Sequence, residues 1–179
     1  MKIKKTNIKD LLIVTPAVFN DSRGYFSESY NKKHLENLVN DEFVQDNESL
    51  SHKGVLRGLH FQNPPHTQAK LVRVITGSVL DVVVDIRKGS ATYGQHFKQI
   101  LSSKNKTQLY VPKGFAHGFA VLEDNTIFSY KCSDYYNKAS ESAILWNDTT
   151  LNIDWQINNP IISEKDKIAE NFANFVTPF

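Results

Sequence analysis

Two stretches of this sequence concentrate polar side chains able to move protons. The first, SHKGVLRGLHFQNPPHTQAKLVRV, carries Arg57, His60, Gln62, His66, Gln68 and Lys70; the second, VPKGFAHGFAVL, sets Pro112, Gly114 and His117 at P-x-G-x-x-H spacing. Histidine alone has an unperturbed pKa near neutrality, so His60 can accept a proton at working pH. An ammonium such as Lys70 can stabilise the oxyanion formed when a proton leaves a carbon alpha to a carbonyl, and a phenol on the opposite wall, Tyr130 or Tyr136, can return one. That set performs racemisation or epimerisation. Each residue also has a plainer reading. A lone strand histidine is more often structural than catalytic, Lys70 fits an exposed strand position, and Tyr130 fits a core or rim aromatic. Asp166, three residues after Ser163, reads locally as the acidic half of a helix-capping box, and Arg23 as decoration of the turn from Asp21 to Gly24. Taken singly, none of them establishes a site.

The elements that must position these residues are strands. Apolar runs of about five to eight residues, rich in Val, Ile, Phe and Tyr and separated by turn residues, fill the middle of the chain. In LVRVITGSVLDVVVDI the runs flank Gly77, which predicts a tight hairpin there; QHFKQILS, TQLYVP, FAHGFAVL and TIFSYKC follow, with turns at Ser103–Lys106 and Glu123–Asn125. At least six strands between Leu71 and Cys132, with no helical stretch for crossovers, predict an antiparallel sheet closing into a sandwich or barrel. In such strands Gln68 and Lys70 face the same way as Val72 and Val74, toward either an interior cavity or solvent. Two peripheral helices are expected, one capped by Asn31 over KKHLENLV and one capped by Ser163 over EKDKIAENFANF, the latter with Ile168, Phe172 and Phe175 on its buried face.

The 179 residues fit a single domain spanning 1–179, and 40% hydrophobic with 11% aromatic residues supplies its core. Lys+Arg 21 against Asp+Glu 19, a net charge of +2, is too balanced for a protein that grips nucleic acid through many phosphates. The longest apolar runs are interrupted by Asp81 and Asp85 and fall short of the ~20 residues a membrane span needs. The start, MKIKKTNIKD, has no export-signal character, and the single cysteine, Cys132, suits a reducing compartment, so the expected location is the cytoplasm. No G-x-G-x-x-G turn or P-loop occurs.

P-x-G-x-x-H resembles the second half of the double motif of cupins, the small jelly-roll barrels. The first half is altered: where metal-binding cupins carry H-x-H and then a carboxylate, this chain has His60-Phe61-Gln62 and, at the position of the acid, Lys70. Two histidines and a cation are a poor metal site, so none is expected. The segments 19–30 (FNDSRGYFSESY), 45–94 with its GVLRGLHFQ and QAKLVRV strings, 108–122 and 130–155 together resemble the dTDP-4-dehydrorhamnose 3,5-epimerases over nearly the whole chain.

This resemblance implies an all-β, antiparallel jelly-roll barrel with short peripheral helices. It implies His60 as general base, oriented by Asp166 of the S-x-K-D string, Lys70 near the sugar carbonyl, and Tyr130 as proton donor on the other face. Arg23, Phe26, Glu28, Gln45, Asn47, Arg57, His117, Tyr136 and Glu141 match positions lining the nucleotide-sugar pocket, the two arginines facing phosphates. It further implies a dTDP-4-keto-6-deoxy sugar as substrate and a homodimer whose N-terminal segment crosses to the partner. Two departures lie near the pocket: Asn-Lys-Ala-Ser between Tyr136 and Glu141, where a proline is common, and Gln156 after Trp155, where proline is usual. They leave open an epimerase acting at C3 or C5 alone; a non-catalytic sugar-nucleotide binding module or a storage-type cupin are readings from other classes.

Overall fold

The structure, a computed structural model, describes all residues 1–179. In chain order the elements are β1 (Lys2–Lys5), β2 (Leu12–Thr15), β3 (Phe19–Asp21), β4 (Gly24–Phe26), α1 (Lys32–Leu35), β5 (Gln45–Ser51), β6 (Leu56–Gln62), β7 (Lys70–Thr76), β8 (Ser78–Asp85), β9 (His96–Ser102), β10 (Gln108–Val111), β11 (Phe115–Val121), β12 (Thr126–Cys132), β13 (Glu141–Ala143) and α2 (Glu164–Lys167). They form a six-stranded sheet, β1-β2-β10-β7-β12-β5, a five-stranded sheet, β13-β6-β11-β8-β9, and the separate hairpin β3-β4. The pairings within the sheets are antiparallel, so the fold is the expected jelly-roll sandwich. No helix is long and apolar enough to cross a membrane.

The inner faces of the two sheets meet in one cluster that includes Val72 and Val74 of β7, Val79 and Val83 of β8, Phe115 and Phe119 of β11, and Phe128 of β12. Burying a side chain such as Phe128, 1% exposed, contributes roughly 1.5–3 kcal/mol. A second cluster lies on the outer face of the five-stranded sheet, where the C-terminal segment brings Trp155 and Phe172 against Leu80, Val82 and Val84. Strand β8 is therefore buried on both faces, which is why SVLDVVVD lacks apolar–polar alternation. By contrast β5 alternates strictly, turning Gln45, Asn47 and Ser49 inward and Asp46, Glu48 and Leu50 out.

Three sequence expectations need correction. The chain does turn at Gly77, whose φ of +80° suits glycine, but β7 and β8 belong to different sheets and do not pair; the turn is a crossing between layers. Thr126 packs so close that a Cβ at Gly77 would lie 2.2 Å from its Oγ1. The helix begun at Asn31 is a single turn, with Val39 buried but Leu38 half exposed. The helix capped by Ser163 stops at Lys167 and leaves Ile168 85% exposed. Tertiary pairing overrides the helical pattern there: Leu145 N–H donates to the Glu170 carbonyl at 2.8 Å, and Phe172 N–H donates to Asp148 Oδ2 at 2.8 Å.

Candidate active site

The altered motif falls on β6, the QAKLV string on β7 and Tyr130 on β12, so the three come from facing sheets and look into the interior between them. His60 pairs in register with His117 of β11, and the register slips between His117 and Phe119. That slip lets Arg57 line the same interior as His60. It depends on a close approach of two glycines: a Cβ on Gly58, φ +139°, would lie 2.5 Å from Gly118 Cα. On the opposite sheet Lys70 is the partner of Cys132, and Tyr130 that of Val72, which brings the Lys70 Nζ to 5.9 Å from the Tyr130 ring centre. Lys70 thus faces a cavity and not solvent.

Two adjoining cavities share His60, Lys70 and Tyr130. One, ≈ 280 Å³, is lined also by Gln45, Asn47, Gln62, Gln68, Tyr136 and Glu141; the other, ≈ 230 Å³, by Arg57, His117 and Phe128. A larger concavity, ≈ 320 Å³ beside Tyr30, Arg73 and Gln108, contains carboxylates, Asp46 and Glu48, but no histidine, so size does not locate the His60 site.

His60 Nε2 lies 2.6 Å from Asp166 Oδ1, 106 residues further along the chain. Asp166 is the third residue of the turn that Ser163 caps, and its own N–H donates to the Ser163 hydroxyl at 3.2 Å. Its carboxylate, however, turns to His60 and to the Gly58 N–H (3.5 Å), so the residue does more than close a capping box. Burial by itself would raise the Asp166 carboxyl, but the hydrogen bond and charge of His60 outweigh it and hold the group below the usual carboxylate range. An ionised Asp166 on Nε2 fixes the tautomer and leaves Nδ1, which no protein group bonds, as the basic nitrogen.

Across the cavity, burial raises the Tyr130 phenol above its ordinary value, with the Cys132 thiol adding to it, so the hydroxyl stays protonated and able to donate. Burial lowers the Lys70 ammonium, opposed by Cys132, Asp81 and Glu141. No carboxylate pairs directly with Lys70, so its Nζ is left to meet a ligand. A base, an oxyanion partner and an acid held on two walls can move protons on and off one carbon from opposite sides.

The other expected residues divide into two groups. Gln45, Asn47, Arg57, His117, Tyr136 and Glu141 all line the two cavities. Arg57 is held by the Ser51 hydroxyl at 3.2 and 3.3 Å, and Glu141 accepts from Tyr136 OH at 3.2 Å and pairs with Lys165. Arg23, Phe26 and Glu28 line neither. Arg23 reaches only Asp21 (2.6 Å), Phe26 is 69% exposed on β4, and Glu28 pairs with His34 at 3.3 Å. One residue was missed: Asp81 of β8, fully buried, takes His117 Nε2 on both carboxylate oxygens at 2.9 and 3.0 Å. Its signal was an acid interrupting an apolar strand, which is costly to bury without a partner. No group of three His, Cys, Asp or Glu side chains is placed to hold a metal ion.

A family model described as dTDP-4-dehydrorhamnose 3,5-epimerase matches residues 5–174. The chain belongs to the dTDP-4-dehydrorhamnose 3,5-epimerase family. It is 51% identical to the dTDP-4-dehydrorhamnose 3,5-epimerase of Shigella flexneri over 176 residues, 97% of each chain, and 46% identical to that of Pseudomonas aeruginosa, again over 97% of each. The crystal structure of the Legionella pneumophila dTDP-6-deoxy-D-glucose-3,5-epimerase in complex with dTDP-4-keto-L-rhamnose superposes with a TM-score of 0.94 at 48% identity, covering 98% of this chain and 94% of that one. A 3'-monoepimerase from Streptomyces bikiniensis, in complex with dTDP-quinovose, superposes with a TM-score of 0.89 at 30% identity, covering 94% and 86%. The 3,5-epimerase family thus shares its fold with an enzyme described as acting at one carbon.

Proposed function

We propose that this chain inverts C3 and C5 of dTDP-4-dehydro-6-deoxy-D-glucose, giving dTDP-4-dehydro-L-rhamnose, by removing and returning protons through an enolate. The observation that carries this reading is the opposition of the Asp166-backed His60 ring on one sheet to Lys70 and Tyr130 on the other. The keto group at C4 acidifies the protons on both C3 and C5, so a single base and a single enolate partner serve the two carbons in turn. His60 Nδ1 takes the proton and Asp166 stabilises the imidazolium that results. Lys70 stabilises the enolate oxygen, and Tyr130 protonates the carbon from the far side. No redox or group-transfer step is involved, so the chemistry calls for no cofactor.

Arg57, Gln45, Asn47, His117, Tyr136 and Glu141 hold the nucleotide sugar, with Arg57 on the diphosphate. Arg23, Phe26 and Glu28 complete the pocket of a second copy: the exposed β3-β4 segment crosses to the partner in a homodimer. Their separation from the cavity of their own chain supports this arrangement. We assign the enzyme to the cytoplasm, a reading supported by its one buried, unpaired thiol at Cys132.

Incubation with dTDP-4-keto-6-deoxyglucose in deuterated water tests the reading. Deuterium enters at C3 and C5 with formation of the L product, and His60→Ala abolishes both exchanges. Exchange at one carbon alone would make this a single-site epimerase, and tight binding with no exchange a binding module. Near-normal exchange in His60→Ala would put the base elsewhere.

A further inference from the structure

Gln62 stands where a metal-binding cupin carries the second histidine of its H-x-H pair, and neither the chemistry above nor substrate binding uses it. It ends β6, is 6% exposed, and shares the inner face with His60 two residues before it. A buried amide must spend its hydrogen bonds somewhere. Here its NH2 donates to the His66 carbonyl at 2.7 Å and to the Tyr135 carbonyl at 3.3 Å, while its Oε1 accepts from Asn137 N–H at 2.7 Å. The two ends of one side chain therefore grip the backbone on either side of Tyr136. Donors and acceptor face fixed partners, which permits only one orientation of the amide.

The gripped segment bridges the sheets, running from β12 of one to β13 of the other past the mouth of the His60 cavity. From the opposite sheet Gln45 Oε1 accepts the Tyr136 N–H at 2.9 Å, and from the loop just before β7 Gln68 Nε2 donates to the Asp134 carbonyl at 2.8 Å. Beyond it Asn137 caps the single turn Lys138–Ser140 by accepting from the Ala139 and Ser140 N–H groups. Hydrogen bonds thus stiffen the stretch between β12 and β13. Tyr136 itself stays 54% exposed, with its hydroxyl on Glu141. A half-exposed ring on a backbone this firmly held is pre-organised for a ligand and costs little entropy to use.

We propose that Gln62 is a positioning residue: it fixes residues 135–137 so that the Tyr136 ring stands ready at the mouth of the cavity, and so sets affinity for the nucleotide end of the substrate without taking part in proton transfer. The inference rests on the reading of Tyr136 as a ligand contact given above. Gln62→Glu keeps size and the bond from Asn137 but sets a carboxylate against two carbonyls; Gln62→Met keeps volume and loses all three bonds. Each lost bond is worth about a factor of 2–10, so KM and the dissociation constant for dTDP rise about tenfold or more while kcat stays within about threefold. In a Tyr136→Ala background the Gln62 substitutions add little, since the ring they misplace is gone.

The measurements are steady-state kinetics, calorimetric titration with dTDP, and circular dichroism to establish folding. If Tyr136→Ala leaves dTDP affinity unchanged, the reading of Tyr136 fails. If Tyr136→Ala weakens dTDP but the Gln62 variants do not, that reading stands and the role given to Gln62 is wrong. A fall in kcat at unchanged KM, full additivity in the double variants, or loss of fold in both Gln62 variants also overturns the proposal, since each makes Gln62 a support of the core or of His60.

Discussion

Tyr130 is the residue whose removal separates two events that a simple activity assay merges. In the proposed mechanism proton removal needs His60, Asp166 and Lys70, whereas inversion needs in addition a donor on the other wall. Tyr130→Phe keeps the ring against Phe128, 6.0 Å between centres, and deletes only the hydroxyl. Exchange of the substrate proton with deuterium should therefore continue from the His60 side while net epimerisation falls by about 10²–10⁴. Product stereochemistry and isotope content read from one reaction check this; small, parallel losses in both would reduce Tyr130 to a packing residue. The base, cation and phenol were legible in the sequence as candidates on strands, but each had a plainer reading alone, and it was the resemblance carried by the GVLRGLHFQ and QAKLVRV strings that joined them into one site. The Asp166 contact was not legible from local pattern, which offered only a capping box. Nor was Asp81, since its His117 partner sits on a neighbouring strand 36 positions away.

At the scale of elements, the same strand β8 that hides Asp81 ends in Asp85, and this acid explains how the turn after it is built. Fully buried, Asp85 accepts from Arg87 Nε and Nη2, Ser90 Oγ and Thr92 Oγ1 at 2.6–2.9 Å. Burial would raise its carboxyl, but these donors more than compensate and hold it at about 2. A carboxyl lowered on folding stabilises the native state fully above its unfolded value of 3.8, and that contribution disappears as the pH falls toward about 2. The expected contribution at pH 6 is on the order of 2 kcal/mol. Urea unfolding at fixed protein concentration should show wild type ahead of Asp85→Asn by that margin at pH 6, with the gap closing as the pH drops from 4 to 2. A gap independent of pH would assign the effect to packing alone. Strand existence was readable because apolar runs of strand length are hard to mistake in bulk. Which sheet each strand joined was not, because β8 and β11 are covered on both faces and show no alternation. The turns at Gly77 and at Glu123–Asn125 look like hairpins yet join strands of different layers.

For the whole molecule, the unexplained feature is the hairpin β3-β4, which pairs only with itself and exposes Phe19, Tyr25 and Phe26 by 63, 58 and 69%. Three large aromatic side chains left open on one short segment are costly for a monomer and ordinary for an arm that docks on a second copy. If the arm supplies Arg23 to the partner's cavity, a complete site takes His60 from one chain and Arg23 from the other. Purified His60→Ala and Arg23→Ala proteins, each nearly inactive alone, should then regain activity when mixed under conditions that exchange subunits. A mixed dimer would hold one site with both residues intact and one site with neither. Random reassortment at equal concentrations makes half the dimers mixed, so activity should recover to about a quarter of wild type per subunit. An arm folded onto its own chain gives the opposite result: each site of the mixed dimer keeps one defect and mixing restores nothing. Mass measurement of the mixture verifies that mixed dimers have formed, so a failure to recover activity then counts directly against the crossing arm.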